Sequence, residues 1–156
     1  MSQTPALDET DLRILRVLQS KPSLTMVALA EQVGLSHTPC WRRVRSMERN
    51  GTIAPRKTVV SPKHLGFEVT VVAELTLKQH DEDILKAFEQ SVHDHSQIVE
   101  CYSMSGASDY IIHVIARSIS EYEQLLKTVL LHLPGVGSIN SRFALNQVKY
   151  TTDIPL

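Results

Sequence analysis

The stretch Thr25-Met26-Val27-Ala28-Leu29-Ala30-Glu31-Gln32-Val33-Gly34-Leu35-Ser36-His37-Thr38-Pro39-Cys40-Trp41-Arg42-Arg43-Val44-Arg45 decides how the first third of the chain folds. Met26, Leu29, Ala30 and Val33 recur at helical spacing behind Thr25, whose hydroxyl suits a helix N-cap. Gly34 then supplies a sharp turn that a residue with a Cβ would resist. Ser36 stands as the next N-cap, and the spacing predicts a helix to about Asn50-Gly51, with Pro39 tolerated in its first turn. A short helix, a glycine turn and a second helix is a unit many DNA readers use, although the spacing alone is weak evidence.

The side chains around the last of these helices say more. Cys40, Val44 and Met47 fall at i, i+4 and i+7 on one face. Thr38, Arg42, Arg45 and Arg49 lie close to opposite that stripe. Guanidinium groups reach phosphates and pair bidentately with guanine in a major groove. His37, Thr38 and Trp41 occupy the end that a recognition helix points at base edges. The candidate DNA-binding residues are therefore Ser36, His37, Thr38, Pro39, Trp41, Arg42, Arg45 and Arg49. Arg43 leans to the buried flank, where a salt bridge inside the domain competes with a phosphate contact. Trp41 is also flanking, and packing against the first helix competes with a DNA contact.

Charge divides the same way. Up to Val60 nine Lys and Arg stand against five Asp and Glu, a net +4, while the remainder sets seven against twelve, a net −5. A basic front half on an acidic back half points to a polyanion partner for the front half alone.

Working outward, Asp8 reads as the N-cap of a first helix carrying Leu12, Leu15 and Leu18, stopped at Lys21-Pro22. After Gly51, Thr52 to Val60 reads as extended and Ser61-Pro62 to Gly66 as a linker. Val69, Val71, Ala73, Leu75 and Leu77 alternate with more polar positions, the mark of a strand with one buried face. A helix follows on Ile84, Leu85, Phe88 and Val92, then strands over Gln97–Met104 and Asp109–Ala116 joined at Ser105-Gly106-Ala107-Ser108. Ile119, Tyr122, Leu126, Val129 and Leu133 mark another helix, ended by Pro134-Gly135, and a last strand runs from about Ser138 to Val148. The order βαββαβ predicts a ferredoxin-like unit with both helices on one face of an antiparallel sheet. The fold class is α+β: a helix-turn-helix domain over 7–60 (motif about 26–45), a hinge at 61–67, a ferredoxin-like domain over 68–150 and a tail at 151–156. Tyr110, Ile111, Ile112, Val114 and Ile115 are apolar on both faces of their strand, so a second copy of the chain is expected to cover the other face.

Several function classes are set aside. No apolar run approaches the roughly 18 residues of a membrane span, and Met1 to Ala6 lacks a secretory pattern. Cys40 and Cys101 read as reduced thiols, so a cytoplasmic protein is expected. His93-Asp94-His95 is the only close histidine pair and lacks partners for a tetrahedral metal set. With no phosphate loop or nucleophile elbow either, neither a metal, a cofactor nor catalysis is expected.

Three blocks make the chain recognisable: Leu7-Asp-Glu-Thr-Asp-Leu-Arg-Ile-Leu, Leu29-Ala-Glu-Gln-Val-Gly-Leu-Ser-His-Thr-Pro-Cys-Trp-Arg-Arg-Val and Glu48-Arg-Asn-Gly-Thr-Ile. With Gly106-Ala-Ser-Asp-Tyr, Leu133-Pro-Gly-Val and the tail Val148-Lys-Tyr-Thr-Thr-Asp-Ile-Pro-Leu, they resemble the leucine-responsive regulator/AsnC (Lrp/AsnC) family from Leu7 to Leu156. The resemblance implies a winged DNA-binding domain on double-stranded DNA, a β-strand hinge and an amino-acid-sensing ferredoxin-like domain. It also implies homodimers that assemble further, to octamers or discs, in a nucleoid-associated regulator. Effector binding in the family falls on positions matching Gly106, Ala107, Ser108, Asp109, Ile139 and Ser141. Gly106 lets amides approach a carboxylate, Asp109 takes an ammonium and Ser141 bonds either. An ordinary hairpin turn capped by Asp109 is the alternative. Ser23, Ala28, Ser108 and Ser141 depart from residues common in the family (Arg, Glu, an aromatic and Thr), which leaves the ligand preference open. Some proteins of this resemblance are sirohaem decarboxylases, and others compact DNA with little sequence preference. The basic, capped recognition helix argues against the first, and salt-dependent binding equal on all DNAs would mark the second.

Overall fold

The computed structural model describes residues 7–156. The chain forms two compact units: residues up to Thr58 together with Tyr150–Leu156, and Val59–Lys149. The tail, expected as a separate piece, thus groups with the N-terminal unit.

The first unit is three helices: α1 (Glu9–Ser20), α2 (Met26–Val33) and α3 (His37–Arg49). Asp8 and Asp11 form a reciprocal capping box at the start of α1, each side chain accepting from the other's backbone N–H, at 2.8 and 3.2 Å. Thr25 caps α2 by accepting from the Ala28 amide. Gly34 closes α2 in the left-handed region at φ 72°, and Leu35 N–H returns to Ala30 O. Ile14 and Leu15 pack with Leu29, Ala30, Val33, Cys40, Val44 and Met47, the face of α3 expected from the spacing. Thr52–Val60 pairs into no strand, so neither a wing strand nor the implied β-hinge forms there. An extended segment becomes a strand only with a ladder partner, and none of the described chain offers one.

In the second unit a 3₁₀ turn at Lys63–Leu65 leads into β1 (Val69–Leu77), α4 (Glu82–Asp94), β2 (Ile98–Ser103), β3 (Tyr110–Ala116), α5 (Ile119–Thr128) and β4 (Val136–Phe143). All pairings are antiparallel, in the spatial order β2-β3-β1-β4, the ferredoxin-like arrangement. Val71, Ala73, Leu75 and Leu77 meet Tyr110, Ile112, Val114 and Ala116 on one face, covered by Phe88 and Val92 of α4 and Tyr122 and Leu125 of α5. Fully burying an aromatic such as Phe88 contributes roughly 1.5–3 kcal/mol.

Three details differ from expectation, the first being that α5 stops at Thr128 and a separate 3₁₀ turn at Leu130–His132 carries the chain on to Leu133. Ile119 is exposed, because it opens α5 at the first helical position with nothing of the described chain over it. The last strand stops at Phe143, not Val148, because its partner runs out: Phe143 pairs with Val71, Ala144 N–H reaches Thr70 O, and β1 begins at Val69. Among the described residues of this unit, both helices lie on one face of the sheet and none covers the opposite face. It presents Val72, Ile111 and Ile115, half-buried, beside the pairs Glu74–Arg142 and His113–Glu100. Among the described residues no helix is long and apolar enough to cross a membrane.

Candidate nucleic-acid interface and effector loop

Ser36, His37, Thr38, Pro39, Trp41, Arg42, Arg45 and Arg49 are all exposed, so the expected reading face is an open one. Arg45 lies over the Trp41 ring at 5.8 Å and bridges Glu48 at 3.0 Å, while Arg49 Nε donates to Arg45 O. Trp41, 45% exposed, thus stacks with a cation of its own helix at the surface. Arg43 points the other way, to Asp8 at 2.7 Å and Asp11 at 2.8 Å, and ties α3 to the capping box of α1. The Asp11 N–H and this guanidinium hold the Asp8 carboxyl below the usual carboxylate range. Arg43 is therefore a structural cation.

The start of α3 departs from expectation. Ser36 is the N-cap residue by its extended backbone, yet its hydroxyl makes no capping bond. The caps of α1, α2, α4 and α5 all accept from the amide three residues on: Asp11, Ala28, Ile84 and Glu121. In α3 that third position is Pro39, which has no N–H to give. No acidic residue stands in the first turn either. The positive end of the helix therefore has neither a side-chain cap nor an acidic neighbour in its first turn, and it stands beside a row of arginines.

The second candidate region is built on the sheet. Gly106 sits at φ 121° in the β2–β3 loop, a conformation that favours glycine, and Ala107 beside it is exposed. Ser108 and Asp109 are half-buried. Asp109 is already engaged: one oxygen accepts from Leu77 N–H at 2.6 Å and the other from His80 Nε2 at 2.7 Å. The Leu77 amide first, then His80, hold its carboxyl below the ordinary range. His80 is a member of this cluster that sequence reading missed. The signal was the antiparallel register, since Leu75 opposite Tyr110 brings the end of β1 to the start of β3. Ile139 lies across β1 from the loop, paired with Leu75, whose carbonyl accepts from Asp109 N–H. Ser141 is half-buried on the helix-covered face, where its hydroxyl shares a 2.5 Å hydrogen bond with Tyr122. Loop and Ser141 thus lie at different places on a single chain. A recess of about 340 Å³ opens elsewhere, between α4 and β2, over Glu89, His93, Cys101 and Tyr110. Burial and a hydrogen bond to Glu89 push the Tyr110 phenol there up to about 12. Among the described residues no His, Cys, Asp and Glu group is arranged to hold a metal ion.

The exposed helix-turn-helix and the separate α+β unit define a class, DNA-binding regulators with a ligand-binding domain. Residues 7–54 match the winged helix-turn-helix DNA-binding model and residues 70–154 the Lrp/AsnC ligand binding domain. The glutamate uptake regulatory protein of Zymomonas mobilis is 34% identical over 96% of this chain and 91% of its own. An AsnC family transcriptional regulator from Agrobacterium tumefaciens superposes with a TM-score of 0.89 at 37% identity, over 96% of this chain and 97% of its own. A Neisseria meningitidis transcriptional regulator solved in complex with L-Met does so with a TM-score of 0.89 at 29% identity, over 96% and 97%. The chain belongs to the Lrp/AsnC family of transcriptional regulators.

Proposed function

We propose that this regulator reads a pseudo-palindromic operator by laying α3 of each of two copies into the major groove. The observation that carries this is the uncapped, acid-free start of α3 beside Arg42, Arg45 and Arg49, with Arg43 withheld for internal structure. Ser36, His37 and Thr38 hold phosphate and the helix end, Pro39 keeps that end uncapped, and Trp41 braces Arg45 for a base contact. The second copy packs on the helix-free face of the sheet, and dimers assemble further, to octamers. A small amino acid bound beside Gly106, Ala107, Ser108, Asp109 and Ile139, with Ser141 behind them, shifts assembly or DNA affinity. The Neisseria relative's complex with L-Met supports that ligand class. Regulation takes place in the cytoplasm, on the nucleoid, without catalysis or a cofactor.

Selection of random duplexes on the full chain tests the reading. Paired half-sites about one DNA turn apart are expected, bound at least about 10³-fold more tightly than random DNA at physiological salt. Equal binding to every duplex, with one salt dependence, would identify a DNA-compacting protein instead. Calorimetry with the twenty amino acids, followed by sedimentation, tests the effector. No heat and no change in size with any of them would refute it.

A further inference from the structure

We infer that the C-terminal segment Tyr150–Leu156 is a releasable strap of the DNA-reading unit, clasped by Gln19, and that it sharpens the protein's choice of half-site spacing. The inference rests on the two-half-site reading above. It begins with Ile154-Pro155: proline cannot continue a helix, and the residue before it is held extended. The Ile154 N–H and C=O therefore have no helical partners. Gln19 supplies both, because a carboxamide carries a donor and an acceptor side by side. Its Oε1 accepts from Ile154 N–H at 2.7 Å and its Nε2 donates to Ile154 O at 3.0 Å. Three residues earlier on α1, Arg16 Nε donates to Leu156 O at 3.2 Å, with the guanidinium steadied by Glu9 at 2.8 Å. The strap is gripped by polar atoms and not by burial, since Ile154 stays 64% exposed and Leu156 43%. Such a grip lets go and re-forms. Its hydrogen bonds to side chains outside the tail all go to α1, none to the arginines of α3.

Connectivity gives the grip a role. The chain leaves the reading unit at Thr58–Val59 and re-enters it at Lys149–Tyr150. With the strap clasped, the unit is joined to the effector unit by two covalent connections, and with the strap released, by one. A singly tethered module samples more placements and so tolerates more target geometries, at lower effective concentration for any one of them.

The experiment compares wild type, Gln19→Ala, Gln19→Glu and a chain ending at Tyr150, on operators with optimal and lengthened spacers and on an isolated half-site. Wild type is expected to prefer the optimal spacer. Each variant should lose about three- to tenfold of that preference, the size of one hydrogen bond's net contribution, with half-site affinity unchanged. Gln19→Glu belongs with the alanine variant, because its carboxylate has no proton for Ile154 O. Amide exchange reports the clasp directly: Ile154 N–H should be protected in wild type and unprotected in Gln19→Ala. A wild-type preference that survives removal of the tail, or an Ile154 amide that exchanges freely in wild type, overturns the strap. A wild type indifferent to spacing refutes the two-half-site reading, and the strap's role falls with it.

Discussion

The start of α3 and the β2–β3 loop are both places where a polar chain end or turn meets solvent, and they are finished in opposite ways. At α3 the Ser36 hydroxyl makes no capping bond, because Pro39 lacks the amide it would have bound. The outward Arg45 and Arg49 are held only within their own helix, by Glu48, Trp41 and Arg45 O. At the loop every oxygen of Asp109 has an internal partner, Leu77 N–H or His80. The first region leaves its cap unused and carries no acidic residue in its first turn. The other satisfies itself within the chain, so a ligand on the proposed site would have to compete with His80 for Asp109 or draw its contacts from elsewhere.

The sharpest attempt to break this contrast is the double variant Arg42→Ala/Arg45→Ala. Each lost base contact should cost about 1–3 kcal/mol of operator affinity, while sedimentation of the protein stays unchanged. Wild-type anisotropy titrations from a folded double variant would mean that α3 does not read DNA.

Next in size is the turn that leads into β4, in the same unit as the loop. Gly135 sits at φ 74°, and a Cβ there would overlap Ile84 Cγ2 of α4. Gly135→Ala should destabilise the effector unit by about 2 kcal/mol, from left-handed strain and a displaced side chain. Thermal unfolding followed by near-ultraviolet dichroism measures this, and an unchanged melting temperature would show that the turn relaxes freely.

Two serine caps then make a matched pair. Ser118→Ala should cost about 1 kcal/mol of stability, because its hydroxyl accepts from Glu121 N–H. Ser36→Ala should leave stability nearly unchanged and instead weaken DNA binding by about 0.5–1.5 kcal/mol. A destabilised Ser36→Ala with intact binding would reverse the assignment.

The smallest effect concerns Asp109. Its folded pKa lies below the ordinary 3.8, so its contribution is present above that value and is lost as pH falls through the folded one. Asp109→Asn keeps an acceptor for Leu77 N–H but loses the charge facing His80, a change of under about 1 kcal/mol at a half-exposed site. Its stability should fall less than that of wild type between pH 5 and pH 3, the remaining decline coming from other lowered carboxyls such as Asp8 and Glu123, as urea midpoints at the two pH values would show.

Much was legible in one dimension. Helices α1 to α3, the apolar stripes of α2 and α3, the alternation of β1 and the outward arginines follow from periods that the backbone imposes on neighbouring residues, so Cys40, Val44 and Met47 could be assigned to the core unseen. In α1, by contrast, the fully buried residue is Ile14, which the Leu12, Leu15 and Leu18 spacing passed over. Capping was legible wherever the third residue carried an amide. At Ser36 it failed for a reason also present in the sequence, the position of Pro39. What only tertiary structure decided is the choice among partners that local spacing leaves equal. The fold turned Arg43 toward Asp8 and Asp11, Ser141 toward Tyr122, His80 onto Asp109 and Gln19 onto Ile154. These pairs are separated by between 19 and 135 positions. A hydrogen bond needs its atoms within about 3 Å, and across such separations only the packed helices and the sheet register bring them there.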